Sequence, residues 1–147
     1  MKIVIDTDVF LSSLFSRQGA SYRVVSWLAK EFSDHKRQYN VVSNTLVTEL
    51  CDVLQRPANI IRAQSSPKGM ECFVNAVCLV SYHQRINFLW RPFLKDSDDD
   101  MVLEVAFNAK ANYIITYNKR DFEGVEKYFS IKVLTPKEFL IEIGEIK

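Results

Sequence analysis

The order of the predicted strands and helices indicates an α/β fold: a three-layer α/β/α sandwich around a mainly parallel sheet. Short apolar strands alternate with helices along the chain, an order that favours parallel pairing with helices on both faces of the sheet. The 147 residues are 48% hydrophobic and 25% charged, enough to build one substantial core. We therefore expect a single domain over residues 1–147.

The predicted strands are short runs rich in apolar and β-branched residues, bounded by polar or turn residues. The clearest are Ile3-Val4-Ile5 near the start of the chain and Ile114-Ile115-Thr116 near its end. In chain order, the predicted strands occupy residues 2–6, 39–42, 83–87, 113–116 and 131–134.

The predicted helices combine an apolar stripe at helical spacing with recognisable start signals. Thr7-Asp8 and Ser43 are expected to cap the first and third helices, and Pro67 and Pro136 stand at first helical positions. The polar run 33–38 predicts a turn. In chain order, the predicted helices occupy residues 9–15, 21–32, 44–55, 58–64, 67–80, 98–110 and 136–145.

Composition excludes several classes of protein. No apolar run approaches the roughly 20 residues that cross a bilayer, and the first residues lack the pattern of a signal peptide. We therefore expect a soluble cytoplasmic protein without membrane contact. Cys51, Cys72 and Cys78 are odd in number and form no Cys-x-x-Cys pair, which predicts reduced core residues and neither a disulfide framework nor a zinc site.

Charge is distributed unevenly although the net charge is only +1. Residues 1–95 contain 12 Lys and Arg against 7 Asp and Glu, whereas residues 96–147 contain 7 against 11. A metal-dependent enzyme acting on a polyphosphate chain needs such an acidic site flanked by basic surface. The basic residues that we expect to hold the phosphates of such a chain are Arg17, Arg91, Lys95, Lys119 and Arg120.

Four acidic residues stand where predicted elements begin or end. Asp6 ends the first strand, Glu49 lies at the edge of the apolar face of the third helix, and Asp121 follows the fourth strand. Asp99 belongs to an acidic run that opens the sixth helix. Each acid alone fits a cap, a turn or a solvated position, but the carboxyl ends of parallel strands share one crevice. Their joint placement predicts a divalent-metal site.

The acidic run contains more carboxylates than capping a helix requires, since one or two acids satisfy a helix start. Like charges this close are unfavourable unless a cation or a basic partner offsets them. Any member of the run is therefore a possible third metal ligand. The members are Asp96, Asp98, Asp99 and Asp100.

Four segments, IVIDTDVFL (3–11), LVTELCDVLQRP (46–57), KDSDDDMVLE (95–104) and YIITYNKRDF (113–122), resemble in order and spacing the motifs of PIN-domain proteins. The likeness is closest to the branch of toxin components of toxin–antitoxin pairs. The segment LTPKEFL (134–140) is similar to the family's closing strand and helix, so the resemblance covers nearly the whole chain.

The resemblance implies a Rossmann-like sandwich and an Mg²⁺- or Mn²⁺-dependent endoribonuclease that cleaves single-stranded RNA. It favours Asp99 within the acidic run, because Asp99 stands three residues before Val102 in the family's Asp-x-x-apolar pattern. Asp8 departs from that pattern, where Asn is usual. Partners implied are a small antitoxin protein and a second copy of the chain. The implied acidic quartet is Asp6, Glu49, Asp99 and Asp121. The residues in supporting positions are Thr7, Asp8, Asp96, Asp98, Asp100, Thr116 and Asn118.

The chemistry of phosphodiester hydrolysis agrees with this assignment. Two hard cations activate water and neutralise charge on the leaving oxygen, and hard cations select carboxylate oxygen. The expected products carry a 5′-phosphate and a 3′-hydroxyl. The two histidines, His35 and His83, lie in no recognisable catalytic setting, which disfavours a metal-free ribonuclease.

Two alternatives remain open from the sequence. Asp6-Thr7-Asp8 after an apolar strand looks like the nucleophile and acid of haloacid-dehalogenase-type phosphohydrolases, and Val42-Ser43-Asn44 looks like their second motif. In that enzyme Glu49 has no role, and the paired acids expected after Thr116 are replaced by Tyr117-Asn118. The second alternative is a domain that binds RNA or a protein without cleaving.

Overall fold

The computed structural model describes residues 1–86 and 97–147, with residues 97–100 described only by their place in a helix. Within these ranges, five strands form one sheet, in which every neighbouring pair is parallel. The strands are β1 (Ile3–Ile5), β2 (Asn40–Val42), β3 (Ser81–His83), β4 (Tyr113–Ile115) and β5 (Lys132–Leu134). Their order across the sheet is β3-β2-β1-β4-β5, so its direction of growth reverses at β1.

Helices connect these strands and follow the last one. A short 3₁₀ helix at Lys119–Phe122 comes after β4. The described α-helices are α1 (Thr7–Phe15), α2 (Ala20–His35), α3 (Asn44–Leu54), α4 (Pro57–Arg62), α5 (Pro67–Leu79), α6 (Ser97–Ala109), α7 (Val125–Phe129) and α8 (Pro136–Glu142). No helix in the described part of the chain is both long enough and apolar enough to cross a membrane.

Alternation of side chains along the strands divides the core into two layers. Val4 and Ile114 pack with α6 and α7 on one face of the sheet. Ile5 and Ile115 pack on the other face, against α1, α2, α3, α5 and α8. None of these four side chains is more than 1% exposed. The predicted three-layer sandwich with a parallel central sheet is therefore confirmed.

Side chains at the carboxyl edge of the sheet cap the helices that begin there. Ser43 Oγ accepts a hydrogen bond from the Leu46 amide at 3.1 Å, as predicted for α3. The cap of α1 is Asp6, whose Oδ1 accepts from the Thr7 amide at 2.8 Å. The prediction of Thr7-Asp8 as the cap was wrong, because α1 already begins at Thr7 and both residues lie inside its first turn.

The third strand lies earlier than predicted, at 81–83 instead of 83–87. Its position is fixed by a buried polar contact: Asn40 Nδ2 donates to Ser81 Oγ at 2.9 Å, and Asn40 pairs with Ser81 in the sheet register. Both side chains are at most 2% exposed. β3 is an edge strand in which only Ser81 is buried, while Tyr82 and His83 are exposed. It therefore has no apolar run by which the sequence could reveal it.

The second helix continues past the predicted turn and ends at His35, where Lys36 adopts a left-handed conformation with φ of 56°. The polar residues 33–35 form an exposed helical turn and do not break the helix. The short helix α7 has no counterpart among the predicted elements, since five residues are too few to display a helical period.

All three cysteines are free, but only Cys51 and Cys78 pack against the core, whereas all three were predicted to belong to it. Cys72 is exposed, and Cys51 and Cys78 are only partly buried. Cys72 falls on the outer side of α5, whose buried residues are Met70, Val74 and Val77. Apolar neighbours in sequence did not reveal the helix face because a helix buries one stripe only.

Candidate active site

The candidate site lies where the strand order reverses, between the neighbouring strands β1 and β4. In open parallel sheets, the connections to the two sides diverge at this point and leave a crevice beyond the carboxyl ends of the strands. Asp6 directly follows β1 and Thr116 directly follows β4. The topology therefore brings two polar residues, 110 positions apart, to the same crevice.

Asp6 uses its two carboxylate oxygens in different directions. Oδ1 caps α1, and Oδ2 accepts a hydrogen bond from Thr116 Oγ1 at 2.9 Å. The residue is 7% exposed and Thr116 is fully buried. The capping explanation and the crevice explanation considered for Asp6 therefore both hold, one for each oxygen. The carboxylate is fixed in orientation by two donors.

Asp8 occupies the first turn of α1 and faces the same loop. Its Oδ2 accepts from the Tyr117 amide and from Asn118 Nδ2, each at 3.1 Å. Within the described residues, its Oδ1 is buried and accepts no hydrogen bond. Burial first, and the nearby charge of Asp6 second, raise the pKa of Asp8 from 3.8 to about 7. Negative charge at this point is costly unless a cation compensates it.

Glu49 reaches the site from α3, a third element. Thr7 Oγ1 donates to Glu49 Oε2 over 3.4 Å, a long contact that links α3 to the first residue of α1. The side chain is partly buried. It also lines an open pocket of about 520 Å³ together with Arg56, which precedes α4, and Met101 of α6. Glu49 therefore lies between the crevice and the helix that carries the acidic run.

The supporting residues expected from the sequence form one network with these acids. Thr116 Oγ1, besides donating to Asp6, accepts from the Asn118 amide at 3.0 Å. Asn118 in turn donates through its side chain to Asp8. The three residues Thr7, Thr116 and Asn118 therefore each contact an acid of the site or a residue that does.

Asp121 is placed differently. It lies in the 3₁₀ helix after β4, its side chain is exposed, and its amide donates to the Asn118 carbonyl at 3.0 Å. It shares no side-chain hydrogen bond with the acids of the crevice in the described ranges. No cluster of three or more metal-ligating side chains occurs among the described residues. Asp121 thus lies on the loop after β4, next to Asn118 and its neighbours, but outside the hydrogen-bonded network.

The third acid of the predicted quartet belongs to the first turn of α6. Asp98, Asp99 and Asp100 lie within that helix, and their side chains are outside the described part of the structure. Asp96 lies wholly outside the described residues, as do Arg91 and Lys95. The choice of Asp99 among these acids remains a prediction.

Two described basic residues flank the loop after β4. Lys119 Nζ forms an ion pair with Glu138 at 3.1 Å, on the surface. Backbone and hydroxyl donors of Thr135, together with Lys119, lower the pKa of Glu138. Arg120 is exposed. Arg17 is also exposed and lies at the far end of α1.

Sequence reasoning missed the part played by Tyr117. Its amide holds Asp8, and its hydroxyl shares a short hydrogen bond with Ser21 in the first turn of α2. A backbone donor leaves no signal in the sequence. Glu104 was also overlooked: it is 3% exposed on α6, between the core residues Leu103 and Val105, and a charged residue within an apolar run is a signal that could have found it.

The residues present suit a hard divalent cation. The convergent groups are carboxylate oxygens, the ligands that Mg²⁺ and Mn²⁺ prefer. The buried, unbonded Oδ1 of Asp8 and the raised pKa of its carboxyl indicate a shortage of positive charge in the crevice. Among the described carboxylates, those near the crevice that would hold such an ion are Asp6, Asp8, Glu49 and Asp121, although they form no cluster of three or more.

Comparison with known proteins identifies the family. The PIN-domain family model matches residues 2–120, which include Asp6, Glu49 and Asp99 and end one residue before Asp121. A search of curated proteins found no match. The matched region contains four of the five strands and the whole crevice network. The chain therefore belongs to the PIN-domain family, whose fold is that of metal-dependent nucleases.

Proposed function

We propose that the protein is an endoribonuclease that cleaves single-stranded RNA with Mg²⁺ or Mn²⁺, and that residues 1–147 act as one nuclease domain. The observation that carries the proposal is the convergence of Asp6, Glu49 and Thr116 from β1, α3 and β4 at the point where the strand order reverses. The proposed metal-holding and catalytic residues are Asp6, Glu49, Asp99 and Asp121.

The cation would supply an activated water and neutralise charge on the leaving oxygen. The chain's own residues prepare the site for it. Thr116 and the Thr7 amide fix the carboxylate of Asp6, so that its orientation needs no rearrangement when the ion and substrate arrive. Glu49 contributes charge from the opposite helix, held by Thr7.

Asp8 has a role of its own in this proposal. Its raised pKa means that, without a cation, the group carries a proton about half of the time near neutral pH. A cation close to Asp6 would favour the ionised form and release that proton. Tyr117 and Asn118 orient the oxygen that faces the loop.

Basic residues near the crevice, and Arg17 at the far end of α1, are proposed to hold the RNA backbone. The ion pair of Lys119 with Glu138 is exposed, and exposed pairs contribute little, so Lys119 can exchange its partner for a phosphate. The complete set proposed for backbone binding is Arg17, Arg91, Lys95, Lys119 and Arg120.

A cellular role as the toxin of a toxin–antitoxin pair, in the cytoplasm, is part of the proposal. It is supported by the likeness of the four motifs to those of toxin components. A small antitoxin protein and a second copy of the chain are the proposed partners. Growth arrest on induction of the wild-type protein, relieved by Asp6→Asn, would support toxicity, and light scattering during size-exclusion chromatography measures the oligomeric state.

The central experiment incubates purified protein and end-labelled single-stranded RNA with Mg²⁺, Mn²⁺ or chelator. We expect internal cleavage that requires metal and yields 5′-phosphate and 3′-hydroxyl ends. Glu49→Gln, Asp99→Asn and Asp121→Asn should each reduce the rate, whereas the exposed controls Glu71→Gln and Asp34→Asn should not. Cleavage that is equally fast in chelator would refute the metal-dependent mechanism.

The same variants separate the alternatives. A phosphohydrolase of the haloacid-dehalogenase type would lose turnover of a phosphomonoester in Asp8→Asn and keep it in Glu49→Gln, which is the reverse of the order expected for a nuclease. A non-catalytic binding domain would show no specific Mn²⁺ binding by titration calorimetry, or equal binding in wild type and Asp6→Asn.

A further inference from the structure

A second cleft lies at the other end of α1, away from Asp6. It has a volume of about 700 Å³ and is open to solvent. Its walls are the end of α1, the loop to α2, the first turns of α2, the connection from α4 to α5 and one side chain of α5. The residues that line it are Ser13, Leu14, Phe15, Ser16, Arg17, Tyr22, Val25, Arg62, Ala63, Gln64, Ser65 and Phe73.

The charge of this cleft is entirely positive among its described lining residues. Arg17 and Arg62 contribute two guanidinium groups from separate walls, and no lining residue is acidic. Neither arginine forms an ion pair with a carboxylate of residues 1–86 or 101–147. Two unpaired guanidiniums facing one cavity repel each other, which favours the binding of an anion between them.

Aromatic rings stand beside these charges. The guanidinium carbon of Arg62 lies 4.2 Å from the centre of the Phe15 ring. A guanidinium stacked on a ring keeps its N–H donors at its edge, where a phosphate can accept them. Tyr22 of α2 lines the same cleft and is 38% exposed, so its aromatic side chain is accessible from solvent.

The same helix, α1, connects the cleft with the candidate active site. Both lie along α1, which begins at the crevice and ends at Phe15. Nine residues of helix span on the order of 13 Å, which is no more than about four nucleotide steps at the duplex spacing of about 3.4 Å. The α2 wall also contacts the site, because Ser21, next to Tyr22, is hydrogen-bonded to Tyr117.

We infer that this cleft is a secondary binding site for the single-stranded RNA substrate, a few nucleotides from the bond that is cut. Arg17 and Arg62 hold backbone phosphates, and Tyr22 stacks on a base. A cleft that combines guanidiniums with aromatic rings offers partners for both the phosphates and the bases of a single strand. This inference rests on the proposed function, because it takes RNA to be the substrate.

An acidic peptide is the other ligand with suitable charge. The carboxylates of a peptide would use only the two arginines. A single RNA strand would also use the exposed Tyr22 ring, and it could reach the candidate active site at Asp6, so RNA is the favoured ligand. The two ligands make opposite predictions for Tyr22, whose loss should weaken the binding of bases and leave an acidic peptide unaffected.

The first test measures binding of a fluorescent single-stranded RNA in chelator, so that neither metal nor cleavage contributes. We plot the logarithm of affinity against the logarithm of salt concentration. The slope of this plot should become shallower by about 0.7 for Arg17→Ala or Arg62→Ala and by about 1.4 for the double variant. Arg23→Ala, an exposed arginine of α2 outside the cleft, is the matched control with no expected change. Tyr22→Ala should weaken binding at least fivefold, with the slope kept.

An unchanged slope in the double variant, or no RNA binding by the wild type, would overturn the inference. Tighter binding of a glutamate peptide than of RNA, lost in Arg62→Ala and kept in Tyr22→Ala, would overturn it in favour of a protein ligand. Arg62→Lys keeps the charge but not the planar group, so it should preserve the slope and lose affinity.

The second test separates this inference from the proposed function. With metal present, the ratio of cleavage rates for a long strand and a dinucleotide should fall in the double variant, since only the long strand reaches the cleft. If the wild type binds RNA through the cleft yet cuts nothing, the proposed nuclease activity fails while the cleft stands. If the wild type cuts RNA and the double variant keeps the same ratio of rates, the cleft fails alone.

Discussion

The two ends of the paired strands β1 and β4 differ in how their polar groups are satisfied. At the amino end, the Lys2 amide donates to Asn112 Oδ1 at 2.9 Å, and the Asn112 amide donates to the Lys2 carbonyl at 2.8 Å. At the carboxyl end, Asp6 and Asp8 bring two carboxylates together, and Asp8 Oδ1 is buried and accepts no hydrogen bond from the described residues. Two strands thus carry a neutral, reciprocal pair at one end and an excess of negative charge at the other.

This contrast shows which end of the sheet gives up stability for ligand binding. Reciprocal hydrogen bonds between neutral groups stabilise the sheet and require nothing further. Crowded carboxylates destabilise the protein until a cation or a proton joins them. The carboxyl end of a parallel sheet is the end at which ligands bind, so the unfavourable charge is concentrated at the ligand-binding end.

Asp6→Asn should have the largest effect. Asn caps a helix as well as Asp does, so α1 should keep its start, while the metal loses a charged ligand. We expect RNA cleavage to fall by at least about a hundredfold, measured with labelled RNA and Mn²⁺. Asn112→Ala, at the opposite end of the strands, is the control. If Asp6→Asn cleaved RNA at the wild-type rate, Asp6 would not belong to the catalytic site.

Asp8→Asn should stabilise the metal-free protein. Because the folded pKa is about 7 against 3.8 in the reference state, the folded form binds more protons between these values. The free energy of unfolding therefore decreases as pH rises from about 4 to about 7 and stays low above that range. At about pH 8 the variant should gain about 2 kcal/mol relative to wild type, and at about pH 4 almost nothing.

Chemical denaturation at both pH values measures this effect, and added Mn²⁺ should stabilise the wild type more than the variant. Equal stability of the two proteins at about pH 8 would show that the negative charge of Asp8 does not destabilise the folded protein.

Thr116→Val should act through Asp6. The substitution removes the hydroxyl that donates to Asp6 and accepts from the Asn118 amide, with little change in volume. We expect about a tenfold loss of cleavage rate, together with weaker Mn²⁺ binding by calorimetry. Thr116→Ser, which keeps the hydroxyl, should retain most activity. Equal rates for the Val and Ser variants would mean that the hydroxyl does not position Asp6.

Asn112→Ala should have the smallest effect. It removes one exposed hydrogen bond at the amino end, so the free energy of unfolding should fall by about 0.5 to 1 kcal/mol. Denaturant unfolding measures the loss, and RNA cleavage should stay at the wild-type rate. A drop in cleavage comparable to that of Thr116→Val would show that the two ends of the strands are coupled.

Several parts of the fold followed from local sequence alone. The apolar runs at β1 and β4, the Ser43 cap of α3 and the prolines that open α5 and α8 all lie where their residue types predict. Each depends on interactions within a few residues, such as a cap that reaches the third amide of its own helix. Such interactions are encoded where they act.

Other parts could not be read in this way. The register that places Ser81 beside Asn40 depends on a contact across 41 positions. The partner of Asp8 is a backbone amide, which every residue but proline provides. The exposed position of Asp121 depends on how the 3₁₀ helix turns after β4. No residue type signals these features.

Hydrophobic period and capping chemistry are local, so the chain's order of residues is enough to specify which carboxylates follow a strand or lie on a helix facing the core. The meeting of Asp6 and Asp8 with Thr116, Tyr117 and Asn118 in one crevice, and the partly uncompensated charge there, depend on the folded arrangement. Electrostatic energy depends on distance and burial in space, and both are set by the order in which the strands pair.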